Sequence, residues 1–134
     1  MAVNSDPLMG GTAGSIVLIV EDDPSLRLLC RVNLELEQHR VLEADTLGRA
    51  REILDSDPID VVLLDLHVGD EDGFDLLPHI RTVRPEAAVC LLSGTSESDP
   101  ERPEGVHAFI RKPFELEDLT GTVERLLARE PARP

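Results

Sequence analysis

Apolar residues along this chain fall into two patterns, unbroken runs and helical spacing. Ile16-Val17-Leu18-Ile19-Val20 is a continuous apolar run rich in β-branched residues, and it stops abruptly at Glu21-Asp22-Asp23. A run without alternation suits a strand covered on both faces, as in a parallel sheet. Residues 60–66 (Asp-Val-Val-Leu-Leu-Asp-Leu) repeat the pattern and deliver Asp65 at the carboxyl end. Residues 40–44 predict a short second strand, 87–92 a fourth that ends in Ser93-Gly94-Thr95, and 107–111 a fifth that leads into Lys112-Pro113.

Helical spacing fills the intervals. Pro24, after the capping residue Asp23, opens a helix that runs to about Gln38, with Leu26, Leu29, Cys30 and Leu34 inward and Leu36 at the margin of that face. Thr46 caps a second helix whose inner face is Leu47, Ala50, Ile53 and Leu54, closed by Asp57-Pro58. A third is predicted over 74–83, where Pro78 imposes either a kink or a late start. Residues 115–129 predict an amphipathic helix with Leu116, Leu119, Val123, Leu126 and Leu127 inward. The alternation demands one more helix over 95–105, but Pro100, Pro103 and Gly105 leave room for about one turn, so a loop or a short, distorted helix is expected there. Residues 1–15 lack periodicity and read as a flexible leader, 16–129 as one domain, and 130–134 as a tail. Strands alternating with helices imply an α/β fold, a doubly wound parallel sheet with helices on both faces. Ligands of such sheets sit beyond the carboxyl ends of the strands.

Charge narrows the partners. Asp and Glu number 27 against 13 Lys and Arg, a formal net charge of -14, so a nucleic-acid backbone is repelled and direct nucleic-acid binding is not expected. Acids gathered in one pocket would instead attract a hard divalent cation. Cys30 and Cys90 sit apart in apolar runs without zinc spacing and are expected as buried free thiols. No apolar stretch is long enough to span a bilayer, and the start of the chain lacks the regions of a signal peptide, so no membrane role and a cytoplasmic location are expected.

Glu21 and Asp22 end the first strand, Asp65 the third, Ser93 the fourth and Lys112 the fifth, so the predicted sheet draws three carboxylates, a hydroxyl and an ammonium together. Clustered carboxylates repel one another unless a cation intervenes. Mg²⁺, which takes one or two carboxylates and keeps positions for waters or phosphoryl oxygens, fits such a pocket.

Through IVLIVEDDP, VVLLDLHVGDEDGF, CLLSGT and AFIRKPF, in that order, residues 16–129 resemble the receiver domains of two-component signalling. The resemblance implies a flavodoxin-like (CheY-like) sheet of strand order 2-1-3-4-5. It makes Asp65 the phosphoacceptor, a carboxylate nucleophile that becomes an acyl phosphate. Asp22 matches the position that binds Mg²⁺ directly, Glu21 its neighbour bound through water, and the main-chain carbonyl of His67 completes the protein ligands of a metal set that includes Asp65. Lys112 would set its ammonium against the phosphoryl oxygens, aimed by a cis Pro113. Ser93 would donate to a phosphoryl oxygen, and Phe109 holds the aromatic switch position, so that Ser93 and Phe109 move together. Asp72-Gly73 matches a turn in which glycine permits an unusual backbone conformation. His39, His79 and His107 are read as surface or interface residues without a role.

Two departures stand out. Gly69 replaces the proline common after the phosphoacceptor, which predicts a looser loop. The proline-broken segment 95–105 puts in question the usual signalling face of helix four, strand five and helix five. The implied function is a switch, not an enzyme, that assists its own phosphorylation and dephosphorylation, takes its phosphoryl group from a sensor histidine kinase or phosphotransfer protein, and passes the signal to a separate effector protein. The alternative is a receiver-like protein-binding module that works without phosphorylation. An Mg²⁺-dependent phosphohydrolase would need a second Asp at position 67, where this chain has His. With no effector segment in view, a single-domain regulator and a piece of a longer one are both consistent with the sequence.

Overall fold

The apolar runs pair side by side into one parallel sheet. In the computed structural model, which describes residues 14–94 and 105–129, β1 (Ile16–Val20), β2 (Arg40–Ala44), β3 (Val61–Asp65), β6 (Ala88–Ser93) and β7 (Ala108–Arg111) lie in the order β2-β1-β3-β6-β7. That is the expected 2-1-3-4-5 once a small antiparallel hairpin, β4 (His67–Val68) and β5 (Glu71–Asp72), is set aside. All five residues of β1 and of β3 are buried, as strands covered on both sides must be.

Alternation along the strands sorts the side chains into two cores. Leu18 and Val20 face one layer with Leu47, Ala50, Ile53 and Leu54 of α2 (Leu47–Ser56) and Leu77 and Ile80 of α3 (Leu77–Val83). Val17 and Ile19 face the other, with Cys30 and Leu34 of α1 (Pro24–Leu36) and Leu119, Val123 and Leu126 of α4 (Leu116–Ala128). Both cysteines are buried free thiols, and burial pushes the Cys30 thiol up to about 11.

Caps set the helix starts. The Asp23 carboxylate accepts the N–H groups of Ser25 and Leu26, and Thr46 accepts that of Arg49. The expected third helix divides into a 3₁₀ turn, Gly73–Leu76, and α3, so Pro78 produces the late start: in the first turn its missing N–H leaves no bond unmade.

Several expectations need correction. Leu29 and Leu36 of α1 are exposed, at 46% and 74%, because Leu34 and Cys30 hold the stripe that meets the sheet and Leu36 projects from another side. The helix ends at Leu36 rather than near Gln38, since Gln38 turns left-handed at φ 72° and the His39 N–H returns to the Leu34 carbonyl. His39 is not a surface residue: it is buried, with Nε2 2.9 Å from Glu124 Oε2 on α4. His79 is half-buried against Asp55, and His107 is exposed, its Nδ1 accepting the Val89 N–H. The short helix expected over 95–105, the leader and the tail fall, apart from residues 14, 15 and 105, outside the described residues.

Leu34→Ala should remove about 2–5 kcal/mol of stability, whereas Leu36→Ala should change it by less than about 0.5 kcal/mol. Urea denaturation followed by far-ultraviolet circular dichroism reads the difference, and equal losses would contradict this placement of α1.

Candidate functional site

The carboxyl ends of β1, β3, β6 and β7 meet at one edge of the sheet. Glu21, one residue past β1, is held by its N–H on the Ala44 carbonyl of β2, and both it and Asp65, the last residue of β3, are buried. Lys112, one residue past β7, reaches between them: its Nζ lies 2.9 Å from Glu21 Oε1 and 2.9 Å from Asp65 Oδ2. A cis peptide bond joins Lys112 to Pro113, as expected, and the Lys112 N–H donates to the Ser93 carbonyl at 2.6 Å. Asp22 stands at the exposed rim, and ligand oxygens of Glu21, Asp22 and Asp65 all lie within 4.8 Å of one another.

One ammonium therefore answers three acids. Burial, the largest influence, pushes the Glu21 carboxyl up to about 7; the Asp23 N–H and the Lys112 ammonium oppose that rise, and the neighbouring Asp65 adds to it. For Lys112, burial disfavours the charged form, but hydrogen bonds and Coulombic attraction from Asp65 and Glu21 outweigh it and hold the pKa above the ordinary lysine value. The set fits a hard divalent cation on two counts. All its donors are oxygens, and Lys112 sets one positive charge against three acids, two of them buried, which leaves negative charge for a cation to answer. It also fits an incoming oxyanion, because the buried Ser93 Oγ at the end of β6 has no hydrogen-bond partner among the described residues.

The remaining expected residues surround this centre. His67 donates its N–H to Asp65 Oδ1 at 3.2 Å, so its main chain abuts the site while its side chain is exposed. Phe109 is half-buried on β7, two residues before Arg111, the register partner of Ser93, and the Arg111 guanidinium lies 5.9 Å from its ring centroid.

Three contributions were not anticipated. Arg27 donates Nη1 to the Glu21 carbonyl at 2.8 Å and Nε to Glu43 at 2.9 Å, fixing the backbone that carries the acid pair; its place one turn after Asp23 was the only signal. Gly73 does not adopt a positive φ; it is needed because a Cβ there would collide with the Asp65 carbonyl, where the Gly73 N–H bonds the Leu66 carbonyl at 2.8 Å. Gly69 does adopt a left-handed φ of 63°, and its N–H donates to Asp22 Oδ2 at 3.0 Å, so the loop expected to be loose is tied to the site.

Comparison with known proteins agrees with this geometry. The family described as Response regulator receiver domain matches residues 17–124. The KDP operon transcriptional regulatory protein KdpE of Escherichia coli is 31% identical over 87% of this chain and 52% of its own length. The DNA-binding transcriptional regulator NtrC of Rhizobium meliloti is 27% identical over 90% of this chain and 26% of its own. The chain thus spans between about a quarter and a half of the curated relatives it matches. Among solved structures, the non-phosphorylated HemR receiver domain of Leptospira biflexa superimposes with a TM-score of 0.77 at 31% identity, covering 90% of this chain and 98% of that one.

The raised Glu21 carboxyl sets a pH dependence. Its folded value of about 7 lies above the ordinary 4.5, so between those values the folded state binds the extra proton, and the metal-free protein should lose stability as pH rises through this window. Glu21→Gln should flatten this loss, and Mg²⁺ should offset it at pH 8. Thermal denaturation across pH 5–8 reads all three, and a parent slope equal to that of Glu21→Gln would refute the assignment.

Proposed function

This chain belongs to the response regulator receiver domain family, and from that membership we propose that it is a phosphorylation-controlled switch whose acceptor is Asp65. The observation that carries the proposal is the Lys112 ammonium, 2.9 Å from both Asp65 and Glu21, with Asp22 beside them. An Asp65 carboxylate oxygen attacks the phosphorus of a phosphorylated donor, forms the new O–P bond, and the donor leaves with the electrons of the bond that breaks. Asp65 thereby loses its own charge and gains a phosphoryl dianion, and Lys112 exchanges a carboxylate partner for phosphoryl oxygens. The Ser93 hydroxyl, buried and without a hydrogen-bond partner among the described residues, donates to one of those oxygens, and half-buried Phe109 on the adjoining strand repacks in response.

Asp22, Asp65 and the His67 carbonyl are the direct ligands we assign to Mg²⁺, with Glu21 acting through water. When bound, the ion supplies charge neutralisation for the acids and the transferring phosphoryl group. We assign the receiver unit to residues 16–129, with 1–15 as leader and 130–134 as tail, and a cytoplasmic setting, which accords with no helix among the described residues being long and apolar enough to cross a membrane.

The donor is a sensor histidine kinase or a phosphotransfer protein, and the phosphorylated form switches protein–protein contacts. Helix α1 supports a protein donor. It begins beside the acid pair and exposes Leu28, Leu29, Val32 and Leu36, a stripe whose apolar surface faces solvent.

Acetyl phosphate or beryllofluoride with Mg²⁺ should convert the parent, by phosphate-affinity electrophoresis or NMR, and leave Asp65→Asn unchanged. If the parent fails to respond, or Asp65→Asn responds as fully, the domain is a phosphorylation-independent binding module instead. Leu28→Glu together with Leu36→Glu should slow transfer from a protein donor about tenfold or more while acetyl phosphate still reacts at the parent rate. Equal slowing with both donors would remove α1 from the docking surface.

A further inference from the structure

We propose that Gly69 is a positioning residue for the cation site: its backbone N–H holds the Asp22 carboxylate in the orientation that a bound divalent ion needs. The inference rests on the reading of Glu21, Asp22 and Asp65 as that site. Asp22 is the exposed member of the cluster, and among the described residues its one hydrogen bond comes from Gly69, to Oδ2 at 3.0 Å. Among those residues Oδ1 has no protein donor. An exposed aspartate otherwise samples several rotamers, and fixing it before the ion arrives lowers the ordering cost of binding.

The N–H is available because of what the sequence places here. Proline has no N–H and is locked near φ −65°, whereas Gly69 sits at φ 63°, and a Cβ at this position would meet nothing within 4 Å. The donor is also braced. Gly69 and Asp70 form the turn of the β4–β5 hairpin, in which His67 pairs with Asp72 and Val68 with Glu71. Val68 is buried in the core beneath α2 and α3. The Glu71 carboxylate accepts the Leu47 N–H at 3.1 Å, which pins the hairpin to the first residue of α2. At its base the Gly73 N–H bonds the Leu66 carbonyl, one residue past Asp65. The hairpin is therefore a rigid bracket from Asp65 to Asp22.

The test compares Mg²⁺ binding by the unphosphorylated full chain, by calorimetry, for the parent, Gly69→Pro and Gly69→Asn, with ¹⁵N NMR of the Gly69 amide. Gly69→Pro should raise the Kd about fivefold, the loss of one charge-assisted hydrogen bond. Gly69→Asn keeps the N–H and tolerates the left-handed region, so it should bind within about twofold of the parent. The Gly69 amide resonance should shift in Asp22→Ala and stay in place in Leu36→Ala. Parent-like binding by Gly69→Pro, weak binding by Gly69→Asn, or an amide indifferent to Asp22→Ala overturns the inference. A parent that takes up no Mg²⁺ overturns the cation reading itself, and the amide shift then still decides whether Gly69 holds Asp22.

Discussion

Everything at the carboxyl edge of the sheet depends on one ion triad, the half-buried Lys112 ammonium between the buried carboxylates of Glu21 and Asp65. Two carboxylates this close cannot both stay ionised in a buried setting without a cation, and removing the cation would leave uncompensated charge below the surface. The fold is organised to deliver that cation. Strand β7 brings Lys112 alongside β6, the cis bond to Pro113 fixes the chain direction, and the Ser93 carbonyl holds the lysine's own N–H. With Asp22 added, the balance is incomplete by design of the sequence, and that deficit is what gives the pocket its appetite for a further positive charge.

Much of this was legible beforehand because it follows from periodicity and from where strands end. The unbroken apolar runs at 16–20 and 61–65 specify strands buried on both faces, and parallel pairing then forces the acids that end them to the same edge. Lys112 could be placed for the same reason. What resisted reading were contacts between segments with no local signature. The burial of His39 against Glu124, the Arg27 grip on the Glu21 carbonyl and the hydrogen bond from Gly69 to Asp22 join residues separated by 85, 6 and 47 positions, and only the last two lie near a motif. Leucine spacing also misled in α1, since a helix exposed on its outer side can carry leucines all round, and composition does not say which stripe meets the sheet.

The glycines show how backbone requirements hide behind a single letter. Gly73 and Gly69 lie four residues apart in the same loop and answer different constraints. One must lack a side chain so that two main-chain segments can touch behind Asp65. The other must turn left-handed so that an amide can face Asp22. A missing proline at position 69 suggests looseness when read from sequence alone, yet the hairpin it permits is held at both ends.

The division of the interior into two packed layers has a consequence for how the molecule tolerates change. Because β1 sends Leu18 and Val20 to one layer and Val17 and Ile19 to the other, the strand is a shared partition between two separate clusters of buried side chains. A volume change in the α1–α4 layer therefore falls first on side chains of that layer and not on those under α2 and α3. One flank can be recontoured by substitution while the opposite flank keeps its own set of neighbours, and both still buttress the same edge.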